Sequence, residues 1–306
     1  MELTALRTFA AVVDEGGILA ASRKLNTVQS NVTSRIRRLE EELGARLFFR
    51  SGRGVALAPA GRVLLDYARR MLHLERESGA AVRLVGDGVG ELRIGSMETF
   101  AALHLPLALK AVRAKHLRLE LRIETDTSAM LLNKVLTHKL DCAIVAGPIA
   151  HPDLCFDELL VEELVLVHAA DANPLLLPLI LFREGCAYRT RALAWQRTSG
   201  HAIAEAMEFG TLDGILGCVS VGLGWTLMPR RVVEQSRHAA DFVVQALPDE
   251  ISQVPTGLIY LAEAPPLAAL QTLTKAVADA TTQKLQPQCR AASLMGSAHE
   301  TEHIVR

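Results

Sequence analysis

No apolar run in this 306-residue chain approaches the roughly 18 residues that a bilayer-spanning helix needs, so no membrane anchor is read in it. Neither is there an excess of one charge. The formal net charge is −1, which gives no global attraction for nucleic acid or an anionic membrane, and any basic surface must be local. The five cysteines, Cys142, Cys155, Cys186, Cys218 and Cys289, are odd in number and irregularly spaced. That argues against a disulfide framework and a cysteine-based zinc site, and reads as reduced thiols. The opening "MELTALRTFAAVVDEGG" has no basic n-region and no small-residue cleavage signal, and with no spanning run a cytoplasmic protein is the expectation. Also missing are H-E-x-x-H, G-x-S-x-G, G-x-x-x-x-G-K-[ST] and G-x-G-x-x-G, while His138, His151 and His168 are scattered. A hydrolase or metalloenzyme therefore finds no motif, and no metal or cofactor is called for.

What the chain does have is apolar content: half its residues, enough for about two domains with cores that stand without staples. Its charge is unevenly laid out. Residues 1–60 carry nine basic and six acidic side chains, a local +3. Leu3, Leu6, Phe9, Ala10 and Val13 follow helical spacing up to Gly16-Gly17, and a short helix is expected over Leu19–Leu25. The next stretch, "NTVQSNVTSRIRRLEEELG", offers Asn26 or Thr27 as a cap. Val28, Val32, Ile36, Leu39 and Leu43 form its apolar stripe, leaving Ser30, Ser34, Arg37 and Arg38 on the opposite, solvent-facing side.

Ser30, Asn31, Thr33 and Ser34 are poor helix formers, and pairs such as Arg37 with Glu41 contribute only about 0.2–0.5 kcal/mol in the weaker orientation. A helix presented to the major groove explains them better: short hydroxyl and amide groups reach base edges while arginines neutralise phosphates. "ARLFFRSGRGVALAPAG" follows as a hairpin with an arginine at its tip, and Pro59 opens a helix to about Val85 with Leu64, Tyr67, Ala68, Met71 and Leu74 along one side. That side is expected to pair with another copy of itself. From Glu91 onward, "ELRIG", "LRLELRI", "DCAIVAG", "LVEELVLVHA", "LILF" and "GWTLMP" read as strands, with helices around 100–114 and 128–138 and a late amphipathic helix in "PPLAALQTLTKAVADATTQ".

The first sixty residues, through Phe9, Ala21, Ser22, Leu25, Gln29, Arg37, Leu39, Glu40, Leu43, Gly44, Leu47, Phe48, Arg50 and Gly61, resemble the winged helix-turn-helix of LysR-type transcriptional regulators. "ELRIGSMET", "KLDCAIVAG" and "GLGWTLMP" resemble that family's effector half. The chain departs from the family's commonest form where Ser30–Arg35 stands for Pro-Ala-Leu-Ser-Arg-Gln and where Ala58 stands for Thr. A narrower likeness, in "FREGCAYRTRALAW" and "MEFGTLDGILGCVSVGLGWTLMPR", is to the branch that includes a putrescine-utilisation regulator.

The resemblance implies an α/β fold class with an all-α winged helix-turn-helix domain at the N-terminus. It implies a DNA-binding domain at 1–58, a linker and dimerisation helix at 59–88, an effector domain at 89–286 and a disordered tail at 287–306. Within the effector domain it implies two periplasmic-binding-protein-like subdomains, 89–158 with 238–286, and 159–237. The implied partners are double-stranded promoter DNA, a small-molecule effector, a second copy in a dimer or tetramer, and RNA polymerase, with no membrane. Ser30, Asn31, Thr33 and Ser34, with Gln29, are expected to read bases; Arg35, Arg37, Arg38, Arg50 and Arg53 are expected to meet phosphates. Thr99, Thr127, Ser128 and Thr211 are implied at the effector cleft, with Tyr188 and Arg189 closing it and Arg183 or Arg189 available for a carboxylate. Glu98, beside Thr99, would repel an anion, so an amine or amino acid is the expected effector. Cys186 is read as an ordinary thiol.

Overall fold

The computed structural model describes residues 1–51, 54–85, 90–199, 206–263 and 268–283. Helices α1 (Leu3–Asp14), α2 (Ile18–Lys24) and α3 (Gln29–Leu43) form the N-terminal unit. Leu6, Phe9 and Val12 of α1 bury against Val32, Ile36 and Leu39 of α3. The apolar stripe of α3 is shorter than its spacing suggested, because Val28 and Leu43, at its two ends, are exposed. The expected caps also give way. Asn26 takes a left-handed φ of 49°, and the cap position falls to Val28, which offers no side-chain hydrogen bond.

Gly44, at φ 63°, ends α3 by letting the Ala45 N–H return to the Glu40 carbonyl. Three glutamates at a helix C-terminus oppose the helix dipole. Glu40 is held there by other bonds: its Oε1 accepts from the Leu47 N–H at 2.7 Å and the Phe48 N–H at 3.3 Å, which anchors the wing. The wing is the antiparallel pair β1 (Phe48–Ser51) and β2 (Gly54–Leu57). Gly52 and Arg53 at its tip lie outside the described residues, as do Cys289 and the tail from 287.

Helix α4 (Pro59–Val85) is divided by what it touches. Ala68 and Leu72 bury on α1 and Leu64 packs against the N-terminal core, whereas Val63, Tyr67, Met71 and Leu74 are exposed. The side free for another copy is therefore turned from the expected one, since Leu64 and Ala68 serve their own domain. Charged bonds fix the joints. Arg7 pairs with Glu75, and Asp14 Oδ1 accepts both from Arg69 at 2.9 Å and from Lys139 of the C-terminal unit at 2.7 Å.

The remainder is α/β: β3 (Gly90–Ser96), α5 (Glu98–Leu103), α6 (Leu105–Lys115), β4 (Leu119–Thr125), α7 (Ser128–Leu136), β5 (Cys142–Ala146), β6 (Leu154–Ala169), β7 (Ile180–Phe182), α8 (Ala187–Thr198), β8 (Met207–Phe209), α9 (Leu212–Ser220), β9 (Thr226–Pro229), α10 (Arg230–Glu234), β10 (Phe242–Ala246), α11 (Asp249–Ser252), β11 (Gln253–Leu261) and α12 (Ala268–Gln283). Strand order is β4-β3-β5-β11-β6-β10, with β9 also on β6. Parallel β3, β4 and β5 with antiparallel β11 make one sheet over a core that includes Leu92, Ile94, Phe100, Leu131 and Ile144.

The sixteen-residue β6 belongs to both subdomains. Its first part, to Glu163, pairs with β11; from Leu164 it pairs with β9, and from Val165 with β10. The crossings expected near 158 and 238 thus fall later, at 163–164 and at 247–252. The reason is that an uninterrupted strand changes sheets without a turn to mark the place, and β10 still pairs with the second part of β6.

Candidate functional site

Two regions carry chemistry. The first is the start of α3. Gln29, Ser30, Asn31, Ser34, Arg37 and Arg38 are exposed there, and Thr33 and Arg35 are half-buried. Their hydrogen bonds separate them further. Asn31 Nδ2 donates to Thr27 Oγ1 at 3.1 Å, and the Thr33 hydroxyl donates back to the Gln29 carbonyl at 2.9 Å. Arg35 turns inward, with Nη1 3.5 Å from Thr8 Oγ1, the outer limit of a hydrogen bond. Arg50 belongs to β1, but its side chain and all of Arg53 lie outside the described residues.

The second region is the crevice at the carboxyl ends of β3 and β4, where the sheet's connections diverge to opposite sides, the usual ligand position in an open α/β sheet. Glu98, Thr99, Asp126, Thr127, Ser128, Arg183, Cys186 and Tyr188 line it. Glu98 opens α5, yet its Oε1 accepts from the Leu212 N–H of the opposite subdomain at 2.7 Å, capping α9 from across the crevice. A backbone bond, Ala129 N–H to the Gly185 carbonyl at 3.2 Å, ties the two sides a second time. The remaining cavity is about 60 Å³. That is far below the roughly 300 Å³ or more of a small-molecule site, so these subdomains must part to admit one.

Burial raises the Glu98 carboxyl above the ordinary carboxylate range, opposed by the Leu212 N–H and by Arg183. Asp126 behaves differently. Lys134 at 2.9 Å and the Thr127 N–H hold its carboxyl low against the effect of burial, so its charge is already answered. Thr127 Oγ1 is buried without a hydrogen-bond partner among the described residues, and Ser128 Oγ accepts from the Ala146 N–H.

Two expected cleft residues have their polar groups taken by protein partners, although Tyr188 still lines the crevice. Arg189 pairs with Glu208 at 2.7 Å and donates to the Phe182 carbonyl, leaving Arg183 as the arginine at the crevice. Tyr188 is buried and donates its hydroxyl to Glu162, which also accepts from Thr256 Oγ1 at 2.8 Å; Thr99 Oγ1 lies 3.4 Å from the same phenol. Thr211 caps α9 rather than lining the cavity. Glu162 was missed. Burial pushes its carboxyl up, against the two hydroxyl bonds. Period-two counting from Leu164 and Leu166 puts Glu162 on the inner face and Glu163 outside, which was the available signal. Burial likewise pushes the Cys186 thiol up, away from a reactive thiolate.

A winged helix-turn-helix joined by a long helix to two hinged α/β lobes defines a DNA-binding protein with a ligand-recognition unit. The chain belongs to the LysR family of bacterial transcriptional regulators. The bacterial regulatory helix-turn-helix of the lysR family matches residues 3–62, and the LysR substrate binding domain matches residues 86–282. It is 37% identical over 276 residues to the HTH-type transcriptional regulator YusT of Bacillus subtilis (strain 168), covering 89% of this chain and 94% of that one. It is 36% identical to GltR of the same organism, covering 85% and 90%. To SoxR of Arthrobacter sp. (strain TE1826) it is also 36% identical, covering 92% and 98%.

The fold matches a full-length OxyR variant from Pseudomonas aeruginosa, with a TM-score of 0.65 and 22% identity over 90% of this chain and 94% of that one. It also matches full-length CbnR complexed with its target DNA, with a TM-score of 0.63 and 22% identity over 92% and 100%. These relatives are regulators rather than enzymes, and the narrower likeness to a putrescine-utilisation regulator finds no support among them. No helix among the described residues is long and apolar enough to cross a membrane.

Proposed function

We propose that this regulator controls promoters in the cytoplasm as a homo-oligomer and that an amine or amino acid, bound between the two effector subdomains, sets its activity. The observation that supports the effector class is the Glu98 contact across the crevice. A carboxyl whose ionised form is disfavoured by burial gains from an ammonium group beside it, and an incoming carboxylate would take over the α9 N-terminus, with Arg183 as its second partner. An amino acid thus exchanges one internal bond for three. Glu98, Thr99, Thr127 and Ser128 are the lining residues assigned to it, and Thr211, outside the closed cavity, is assigned only through the α9 N-terminus that it caps. Such a ligand regulates only by preferring one arrangement of the lobes.

On the DNA side, Gln29, Ser30, Asn31, Thr33 and Ser34 are assigned to bases, and Arg35, Arg37, Arg38, Arg50 and Arg53 to phosphates. Two recognition helices would enter major grooves about 34 Å apart on an imperfect palindrome.

A thermal-shift screen of polyamines, amino acids and amine-free carboxylates tests the effector class. The stabilising compounds are expected to carry an amine, and Glu98→Gln is expected to bind them about tenfold to a hundredfold more weakly, the loss of a charge-assisted bond. Binding should also weaken as pH falls through the raised Glu98 range, because protonation removes the charge the amine needs, and Glu98→Gln should lack that dependence. Stabilisation by amine-free acids alone would refute the assignment.

A further inference from the structure

We propose that Val28 reads bases: its methyl groups contact the C5-methyl of a thymine in each operator half-site. The proposal rests on the family's reading of α3 as the recognition helix and adds a residue to it.

Spacing alone makes Val28 the first member of the apolar stripe, but in the folded chain it is 59% exposed while Val32, Ile36 and Leu39 below it are buried. Nor does local structure call for valine. It occupies the cap of α3 with φ −90° and ψ 152° and makes no side-chain hydrogen bond, although the cap is where serine, threonine, asparagine or aspartate would stabilise the helix. Its carbonyl accepts from the Asn31 and Val32 N–H groups, a role that any residue performs equally. The position thus combines an exposed branched hydrocarbon with a poor cap, at the point where a recognition helix leads into the major groove. Gln29 and Ser30 follow it, also exposed. The floor of that groove displays polar edges and one apolar group, the thymine methyl. An aliphatic side chain at the leading end of the helix matches that group alone.

The test begins with an operator selected from random unmodified duplexes by the full-length protein. Each thymine of a half-site is then replaced singly by uracil, which lacks only the methyl, and affinities are measured at one salt concentration for the wild type, Val28→Ala and Val28→Ser. For the wild type, one position per half-site is expected to weaken about fourfold, the effect of exposing roughly one methyl group. Both variants should bind thymine and uracil operators alike. Val28→Ser restores a good cap, so a merely structural role would leave uracil sensitivity intact and affinity equal or better; that result overturns the proposal. A wild-type scan with no uracil-sensitive position overturns it too, even if the variants bind no DNA. Failure to select any duplex would refute the DNA-binding reading itself, which separates the two claims.

Discussion

His138 follows α7 at a left-handed φ of 56°, with its ring 4.6 Å from that of His73 and its carbonyl accepting from Arg76. Burial, then the neighbouring His73, Arg76, Arg70 and Arg69, lower its pKa from 6.5 to about 4. Between those values the unfolded chain binds the extra proton. Stability contributed by neutral His138 is therefore complete above pH 6.5 and declines as pH falls toward 4. The loss should be on the order of 1–3 kcal/mol after solvent screening. His138→Asn keeps a residue that tolerates positive φ and should flatten that slope in denaturant titrations at pH 4 to 7; an unchanged slope would place the pH dependence elsewhere. In the sequence, His138 was one of several scattered histidines, since its neighbours come from α4, more than sixty residues away. The partners of Tyr188 and Arg189 were hidden too, because Glu162 and Glu208 come from other elements, β6 and β8. A residue type and a location near the cleft were legible; which side chain would claim each polar group was not.

Gly61, the third residue of α4, shows how an element's context reverses a local rule. Alanine in a helix is ordinarily better than glycine by about 1 kcal/mol. Here a Cβ would stand 2.3 Å from the Leu47 carbonyl oxygen, a backbone atom that cannot swing aside. Gly61→Ala is therefore expected to destabilise the protein by about 1–3 kcal/mol, as other overpacking does, measured by thermal melting. A rise in Tm would show that the wing and α4 separate easily. Helices α1, α3 and α4 were legible because their apolar periods are regular and glycine or proline marks an end of each, β4 because its leucines and isoleucine alternate, and β3 and β5 because short apolar runs meet glycine. Strand β11 was not, although it is central to the sheet. Pro255 and Gly257 interrupt its pattern, and the ladder accommodates them with a register shift between Thr256 and Gly257. Its glycine is required by close approach, since a Cβ there would lie 2.6 Å from both the Asp157 carbonyl oxygen and the Phe156 ring.

At the scale of the whole molecule, the exposed line of Val63, Tyr67, Met71 and Leu74 is the surface we assign to the second protomer. Tyr67→Glu with Met71→Glu would set carboxylates into that contact at a cost of several kcal/mol when buried, and light scattering should then report a smaller assembly. An unchanged mass would exclude this face. The two-part layout was legible from the change in texture near Glu91, but the place where one lobe hands over to the other was not, because β6 runs through it unbroken. That continuity limits how the crevice can open. Sliding one lobe past the other along β6 would break its ladder with β11 on one side of the handover or its ladders with β9 and β10 on the other. Rotation about the strand leaves all three ladders paired. The effector lobes should accordingly open as a torsion spring does, by winding around a fixed rod, with Glu162 gripped by Tyr188 and Thr256 almost at the point where the turning begins.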